Sequence, residues 1–221
     1  MLQQTTVKTV ENKILEIINI FPSFNSFKNK KLEQLLKVWS GLGYYNRAVN
    51  LFKAVTIINN KFNGVLPDNK DSLISLPGVG TYTSSAILAI GHNQKAFPID
   101  VNVKRLVERI SGAEFKDNEV ESILSLACKK KISYRSLAES MMDFSSIICK
   151  KNNPDCDKCK FSNFCKSAFQ KFENNQNTKK INKKIDFYIL NSPLHICFIL
   201  QKIAQKKEQE THIKKLLMDM M

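Results

Sequence analysis

The chain has 221 residues, of which 43% are hydrophobic, and its formal net charge is +14. This apolar fraction excludes an intrinsically disordered chain, and the length is sufficient for one large domain or two small ones with a buried core. The positive charge favours a polyanionic partner, most commonly nucleic acid, although a genome that makes lysine the default surface residue would also explain it.

The apolar residues recur mainly with the helical period of 3.6, and no convincing strand precedes residue 180. We therefore expect an all-α fold. Gly41 and Gly43 are expected to stop the second helix, and Asp71 is expected to cap the fourth. The predicted helices span residues 7–18, 32–39, 48–58, 71–76, 83–90, 103–110, 120–127 and 137–148.

The composition changes after Lys171, where a run rich in Asn and Gln is followed by paired lysines, which is typical of a linker. An apolar stretch over residues 185–200 is interrupted by Pro193 and polar residues, so we expect no membrane partner. Residues 1–6 have no signal-peptide pattern. We therefore expect a cytoplasmic, nucleoid-associated protein in a reducing compartment.

A tight turn, Pro77-Gly78-Val79-Gly80, is predicted between two short helices. Glycines at such a turn let backbone N–H groups point outward at a helix N-terminus, and this arrangement suits a phosphate oxygen. An ordinary corner between two helices would use the same residues, so the turn by itself leaves both interpretations open.

Four cysteines, Cys149, Cys156, Cys159 and Cys165, form a C-x6-C-x2-C-x5-C run. Four thiolates this close in sequence can surround one metal centre, either a [4Fe–4S] cluster or a structural zinc ion. The spacing is not that of a zinc ribbon, in which two C-x2-C pairs are well separated. We therefore favour iron–sulfur and keep zinc as the alternative.

Taken together, the turn that begins at Leu76 and the cysteine spacing resemble those of the helix–hairpin–helix DNA glycosylases related to endonuclease III. The resemblance covers about residues 1–168. Within that superfamily the chain is most similar to the adenine-removing branch, through residues 1–5, 39–48 and 141–143. It implies a helix–hairpin–helix glycosylase fold, with a six-helix-barrel-type domain and a [4Fe–4S] cluster domain.

The resemblance also implies a domain organisation. Residues 1–98 would form the helical barrel domain, with the helix–hairpin–helix at about 71–90 and without its N-terminal start. Residues 99–168 would form the iron–sulfur cluster domain, in which the four cysteines bind the [4Fe–4S] cluster. Residues 169–221 would be a linker and degenerate tail in place of the family's 8-oxoguanine-recognition domain.

The implied activity is hydrolysis of the N-glycosidic bond of adenine mispaired with 8-oxoguanine or guanine in double-stranded DNA, carried out by a monomer. The target nucleotide must leave the base stack, and a carboxylate then stabilises positive charge on the sugar. Asp100 matches this carboxylate and Asn102 matches the neighbouring site asparagine. Asp100 could also act as a helix N-cap, which is worth about 1 kcal/mol.

Tyr82 falls where bifunctional lyases of the superfamily carry a Schiff-base lysine. A phenol cannot form that imine, so simple hydrolysis is expected. Tyrosine also occurs at this position in thymine-mismatch glycosylases, so Tyr82 does not by itself select adenine. Gln3, Gln4 and Tyr44 match residues that wedge into the duplex beside the lesion. The expected DNA-binding residues are Gln3, Gln4, Thr5, Tyr44, Pro77, Gly78, Val79 and Gly80.

The sequence departs from the family at two points. The family's general-acid glutamate would fall before Met1, and Val101 stands where the family usually has glycine. We therefore expect a chain that is truncated at both ends and impaired in adenine excision. Two alternatives stay open: a non-catalytic iron–sulfur protein that binds DNA, and a related thymine-mismatch glycosylase.

Overall fold

The computed structural model describes residues 1, 5–127 and 133–170 of the chain. Within these ranges every regular element is a helix and there is no strand, which confirms the all-α prediction. Gln3, Gln4 and the predicted tail from residue 171 onward lie outside the described residues. The α-helices are α1 Val7–Ile20, α2 Leu32–Trp39, α3 Asn46–Lys61, α4 Lys70–Ile74, α5 Thr81–Ala86, α6 Val101–Ser111, α7 Asp117–Ala127 and α8 Tyr134–Ile147.

The described residues separate into two compact units, of which the first ends at Ser84 and the second begins at Ser85, so the division falls within α5. No helix in the part of the chain that the structure describes is both long and apolar enough to cross a bilayer.

The first unit forms its core from α1, α2 and α3. Leu35 and Trp39 of α2 are almost completely buried, and they meet Ala48 and Val55 of α3. These pairs are spaced by four and seven residues, so each helix presents one apolar stripe to the other. The core forms because this spacing keeps the apolar residues of each helix on one side.

A 3-10 helix, Phe24–Asn29, completes this core and was not predicted from the sequence. Ser23 and Ser26 cap its first turn reciprocally, and Phe27 is buried with its ring centroid 4.4 Å from that of Phe21. The amide of Asn59 donates to the Phe24 carbonyl at 2.8 Å. Six residues are too few to show a helical period, so this element left no periodic signal.

The second unit forms its core where α6 packs against α7 and α8. Val103, Leu106, Val107 and Ile110 make the buried stripe of α6, at the expected spacing of three and four residues. They contact a set of residues from the other two helices and the preceding loop that are also buried: Phe97, Val120, Leu124, Leu137 and Met141. The stripe sets the rotation of α6, and thereby decides which side chains lie at its two ends.

Both ends of α4 differ from the prediction. The N-cap of α4 is Asn69, whose side chain accepts from the Ser72 N–H at 2.9 Å, so the assignment of Asp71 as the cap was wrong. Asn caps as well as Asp, and a start at Lys70 places Leu73 in the core. The helix also ends at Ile74, short of Leu76, because the residue before a proline avoids the α conformation.

The helix predicted over residues 83–90 begins two residues earlier, as α5, and then continues as a π-helix, Ile87–Gly91. The π-helix belongs to the second unit, where it contacts α8. Arg135 of α8 donates from its side chain to the carbonyls of Ile90 and Gly91, so the last turn is held from outside the segment. This external support explains why a rare helix type is present that its sequence does not signal.

Candidate functional site

Asp100 lies at the N-terminus of α6 and caps it. One carboxylate oxygen, Oδ1, accepts from the backbone N–H groups of Asn102 at 2.9 Å and Val103 at 2.8 Å. The predicted capping role is therefore confirmed, and capping of this kind stabilises a helix by about 1 kcal/mol. Asp100 is partly exposed, so the same carboxylate remains accessible at the surface of the second unit.

The second carboxylate oxygen is oriented by a side chain. Asn102 donates from Nδ2 to Oδ2 of Asp100 at 2.7 Å, while Oδ1 of Asn102 accepts from Arg105 at 2.8 Å. All these donors to the Asp100 carboxylate belong to residues of α6, so the carboxylate has one fixed orientation relative to that helix. The structure thus brings together the two residues that the sequence assigned to catalysis within this unit.

Arg105 links this group to the cysteine-containing loop. Its guanidinium donates to the carbonyl of Ser145 at 2.8 Å and to that of Cys149 at 3.1 and 3.3 Å. Burial, aided by the nearby charge of Arg109, holds the pKa of Arg105 below its usual range. The charge is retained because an arginine pKa starts far above neutrality.

Arg109, one turn further along α6, holds the next part of the same loop. It is only 8% exposed and donates to the carbonyls of Lys150 at 2.6 Å and Lys151 at 2.8 Å. Its Nη1 also lies 3.6 Å from the Cys149 sulfur. Sequence reasoning missed both arginines. One signal in the sequence could have found them: they lie four residues apart, so they share a face of α6, and each directly precedes an apolar residue of its buried stripe.

All four cysteines line a single cavity of about 30 Å³ in the second unit. The remaining walls are largely apolar and include Leu106, Ile110, Phe144 and Phe161. The far end of the loop is fixed to the C-terminus of α6, where Cys165 Sγ and the Ser167 N–H donate to the Arg109 carbonyl and the Lys166 N–H donates to the Ile110 carbonyl. The four cysteines of the predicted metal site therefore line one cavity, which is held against the C-terminal end of α6.

The chemistry of the cavity suits a metal centre bound by thiolates. Burial raises the pKa values of the Cys159 and Cys165 thiols above the ordinary 9.0, and the other cysteines of the group raise them further. Apolar walls solvate thiolates poorly, so these groups need a cationic centre to become anionic. Over the described ranges, no three His, Cys, Asp or Glu side chains form a site for a single metal ion.

The Pro77–Gly80 turn lies in the first unit, between α4 and α5. Gly78 has φ +79°, and a Cβ atom built on it would come within 2.9 Å of the Asn50 Cβ, so only glycine fits here. Gly80 has open space around it. Tyr82 is the second residue of α5 and is 40% exposed at the surface of this unit.

A second turn of the first unit carries Tyr44. Gly41, Gly43 and Tyr44 all have positive φ, and the Tyr44 ring is 64% exposed. Thr5 lies against the same turn and donates from its hydroxyl to the Leu42 carbonyl at 3.3 Å. Two of the predicted DNA-binding residues, Thr5 and Tyr44, are thus close together.

The comparisons with known proteins agree with this architecture. The model of the HhH-GPD superfamily of base excision DNA repair proteins matches residues 1–130. The match covers more than half of the chain, so the chain belongs to this superfamily. The helices of its described residues and the glycine-containing hairpin turn agree with this membership.

Individual relatives make the class more specific. The adenine DNA glycosylase of Buchnera aphidicola subsp. Baizongia pistaciae is 35% identical over 188 residues, covering 84% of this chain and 54% of that protein. The chain spans about half the length of the curated relatives it matches.

Two solved structures share the fold. The structure of a thermostable thymine-DNA glycosylase matches with a TM-score of 0.66 and 27% identity, over 76% of this chain and 79% of that one. A trapped endonuclease III–DNA covalent intermediate matches with a TM-score of 0.62 and 26% identity, over 75% and 78% of the two chains. The likeness supports the all-α glycosylase fold.

Proposed function

We propose that this protein is a DNA glycosylase of base-excision repair that hydrolyses the N-glycosidic bond of adenine mispaired with 8-oxoguanine or guanine. The observation that carries the proposal is the Asp100 carboxylate, partly exposed and oriented by Asn102 at the start of α6. Membership of the superfamily and similarity to curated adenine DNA glycosylases support the choice of reaction and base.

The reaction requires the adenine nucleotide to leave the stack, which costs a few kcal/mol. The bond between the sugar C1′ and the base then breaks, and its electron pair leaves with the base, which takes up a proton. Positive charge develops on the sugar, and the carboxylate of Asp100 stabilises it. A water molecule completes hydrolysis by adding its oxygen to C1′ and releasing a proton.

Tyr82 favours this hydrolytic course over strand cleavage by a lyase. A lysine could attack C1′ and form a Schiff base, whereas a phenol cannot do so. Tyr82 is 40% exposed, which supports a role in contacting DNA. We therefore expect an abasic site as the product and no covalent intermediate that borohydride could trap.

Binding of the duplex is assigned to the first unit. We propose that Tyr44 inserts beside the mispair, with help from Thr5, Gln3 and Gln4, and so offsets part of the unstacking cost. The turn that contains Pro77, Gly78, Val79 and Gly80 would approach a phosphate through the N–H groups of its glycines, since Pro77 has none and that of Val79 donates to the Leu76 carbonyl at 3.1 Å. The exposure of Gly78 and Gly80 supports this part of the proposal.

We further propose that Cys149, Cys156, Cys159 and Cys165 bind a [4Fe–4S] cluster. Supporting this proposal are the shared cavity, its apolar walls and the spacing of the four thiols. A bound cluster would supply four metal–thiolate bonds that close residues 149–165 into a rigid loop. Iron and acid-labile sulfide in about equal amounts, roughly four of each per chain, would support it, and one zinc ion without sulfide would refute it.

A related activity on thymine is the second candidate. The structural likeness to a thymine-DNA glycosylase and the presence of Tyr82 favour it. Adenine opposite 8-oxoguanine or guanine pairs two purines, whereas a T:G mispair joins a pyrimidine to a purine. Because the two kinds of mispair differ in size and hydrogen-bonding pattern, defined duplexes distinguish the two activities.

The test is base release from four otherwise identical duplexes containing A:8-oxoguanine, A:G, T:G or A:T. Release from the first two alone supports the adenine proposal, and release from T:G alone selects the thymine alternative. Salt-sensitive binding to the A:8-oxoguanine duplex without release of any base would identify a non-catalytic DNA-binding protein. The Asp100→Asn variant serves as the control, because it should bind the same duplexes and release the base about 10²–10³-fold more slowly.

A further inference from the structure

Arg47, in the first turn of α3, makes contacts that its place in the sequence does not explain. Its guanidinium donates to the carbonyls of Met1 at 2.5 Å, Leu42 at 2.6 Å and Gly43 at 3.1 Å, and to the Thr5 hydroxyl at 2.9 Å. Three of these acceptors are backbone carbonyls in two segments about forty residues apart in sequence. A surface arginine reserved for a phosphate would keep its donors facing solvent.

The guanidinium is also placed among aromatic rings. Its central carbon lies 5.7 Å from the centroids of both Trp39 and Tyr44. Trp39 is almost fully buried and donates from its indole N–H to the Gly43 carbonyl at 3.3 Å. Arg47 therefore connects the buried Trp39 to the exposed Tyr44 through cation–π contacts and a shared carbonyl acceptor.

The turn that these contacts hold is conformationally unfavourable. Tyr44 has φ +47°, which is rare for a bulky side chain, and it follows Gly43 at φ +68°. Such a conformation persists only where the surroundings over-determine it. Here the carbonyls of Leu42 and Gly43 are fixed by Arg47, so the unfavourable backbone and the exposed ring are maintained together.

We propose that Arg47 is a positioning residue that joins the Thr5 segment and the Tyr44 turn into one pre-organised wedge for the mispaired duplex. This inference rests on the proposed function, because it assigns to Tyr44 and Thr5 the same role in DNA. A wedge that is ordered before binding loses little conformational entropy on insertion, so it favours the distorted mispair over matched DNA. Arg47 acts on DNA only through the residues that it holds.

The test compares Arg47→Met and Arg47→Lys with Arg135→Met. Arg135 is a matched control, since it also lies in the first turn of a helix and donates to two backbone carbonyls, but in the second unit. One arm uses no DNA: hydrogen exchange over residues 41–47, and acrylamide quenching of Trp39, the chain's single tryptophan. The other arm measures the ratio of affinities for A:8-oxoguanine and matched A:T duplexes.

Arg47→Met is expected to speed exchange over residues 41–47 by about tenfold, to increase quenching of Trp39, and to lower the affinity ratio by about tenfold. Arg47→Lys should resemble Arg47→Met, because a single ammonium cannot satisfy four acceptors arranged around a fork. Neither variant should change the salt dependence of binding to matched DNA. Arg135→Met should leave both arms unchanged. If Arg47→Met does not fold, Thr5→Val removes one acceptor and should, in the arm without DNA, speed exchange over residues 41–47 and increase quenching of Trp39.

Full recovery of the affinity ratio in Arg47→Lys would overturn the inference, because charge alone would then be sufficient. So would a salt slope reduced by about one, which marks a lost phosphate contact. Unchanged hydrogen exchange over residues 41–47 in Arg47→Met would refute the inference that Arg47 fixes the turn. A wild-type chain with no preference for the mispair refutes the proposed function and the wedge role, whereas the DNA-free arm still decides whether Arg47 fixes the turn.

Discussion

Asp100 has a structural and a proposed chemical role that two substitutions separate. Asparagine is as good an N-cap as aspartate, but its amide nitrogen would replace Oδ2, which accepts from Asn102 Nδ2. Asp100→Asn should therefore keep the cap and lose only this side-chain contact, at a cost of about 0.5 kcal/mol. It removes the negative charge, so base release should fall by about 10²–10³-fold. Asp100→Ala should lose the same activity and also about 1 kcal/mol of stability. Single-turnover base release and urea unfolding measure the two effects.

Equal loss of stability in the two variants would show that the contacts from Asn102 and Val103 to Oδ1 are not what caps α6. Base release by Asp100→Asn at the wild-type rate would remove Asp100 from the mechanism. Unfolding and base release are measured independently, so the capping role and the catalytic role of Asp100 can each be refuted without the other.

Arg105 is predicted to be important for stability because its partners include partly buried backbone carbonyls. Arg105→Met leaves the carbonyls of Ser145 and Cys149 without their charged donor and should cost about 2–3 kcal/mol. Its neighbour Lys104 forms an exposed ion pair with Asp117 at 3.0 Å, so Lys104→Met should cost less than about 1 kcal/mol. Thermal unfolding of the two variants side by side checks this, and similar melting temperatures would contradict it.

Single residues differed in how far the sequence could locate them. The four cysteines were grouped because their spacing is a local signal, and Asp100 was assigned because its segment matches that of the family. An aspartate before a helix predicts by itself only the N-cap that the structure shows. Arg105 and Arg109 were missed because their partners are main-chain carbonyls about forty residues away, which no side-chain pattern marks. Arg47 was missed for the same reason, since its acceptors at Met1 and Thr5 are distant in sequence.

At the scale of elements, the hairpin turn depends on one of its two glycines for its shape. Gly78→Ala would place a Cβ 2.9 Å from that of Asn50 at a φ of +79°, so it should cost roughly 1–3 kcal/mol. Gly80→Ala meets nothing within 4 Å and should cost clearly less. Chemical unfolding of both variants tests the difference. Equal losses would mean that the turn is not constrained by Asn50.

The cysteine loop should make the stability of the metal-free protein depend on alkaline pH. Burial raises the folded-state pKa of the Cys159 and Cys165 thiols above 9.0, so the folded state binds these protons more tightly than the unfolded state does. The resulting stability is complete below about pH 9 and is lost as pH rises through the folded pKa values. Unfolding of the metal-free protein between pH 7 and 10.5 should show this decline.

A double variant, Cys159→Ser with Cys165→Ser, provides the control for the cysteine loop. Serine does not ionise in this range, so the decline should be shallower in this variant. A wild-type stability that is flat across the same range would mean that the two thiols are not buried when metal is absent.

The elements that the sequence predicted are those with a long apolar stripe. The apolar stripes of α3 and α6 run through two or more turns, so the residues that recur with the helical period in the sequence are those that are buried in the structure. The 3-10 helix Phe24–Asn29 and the π-helix Ile87–Gly91 are too short to repeat a period, and they are fixed by Asn59 and Arg135 from elsewhere in the chain. Short elements of this kind follow from tertiary contacts, which a single sequence does not reveal.

At the scale of the whole molecule, the net charge of +14 has two explanations, and salt dependence separates them. If the charge forms a DNA-binding surface with about 6–10 phosphate contacts, affinity for a matched duplex should fall by roughly 10³–10⁵ between 50 and 200 mM salt. If lysines are only the default surface residues, few would contact phosphates and the dependence should be shallow. Fluorescence anisotropy with a matched duplex across that range measures the slope.

The salt dependence of binding also tests whether affinity and mispair preference come from different contacts. Phosphate contacts position a protein without reading bases, so affinity for matched DNA should carry most of the salt dependence. The extra affinity for the A:8-oxoguanine duplex should instead come from Tyr44 and the extruded base, which carry little charge. The ratio of the two affinities should therefore stay constant within about threefold over the salt range. A ratio that falls as steeply as the affinity would place mispair recognition in the charged surface and contradict the wedge.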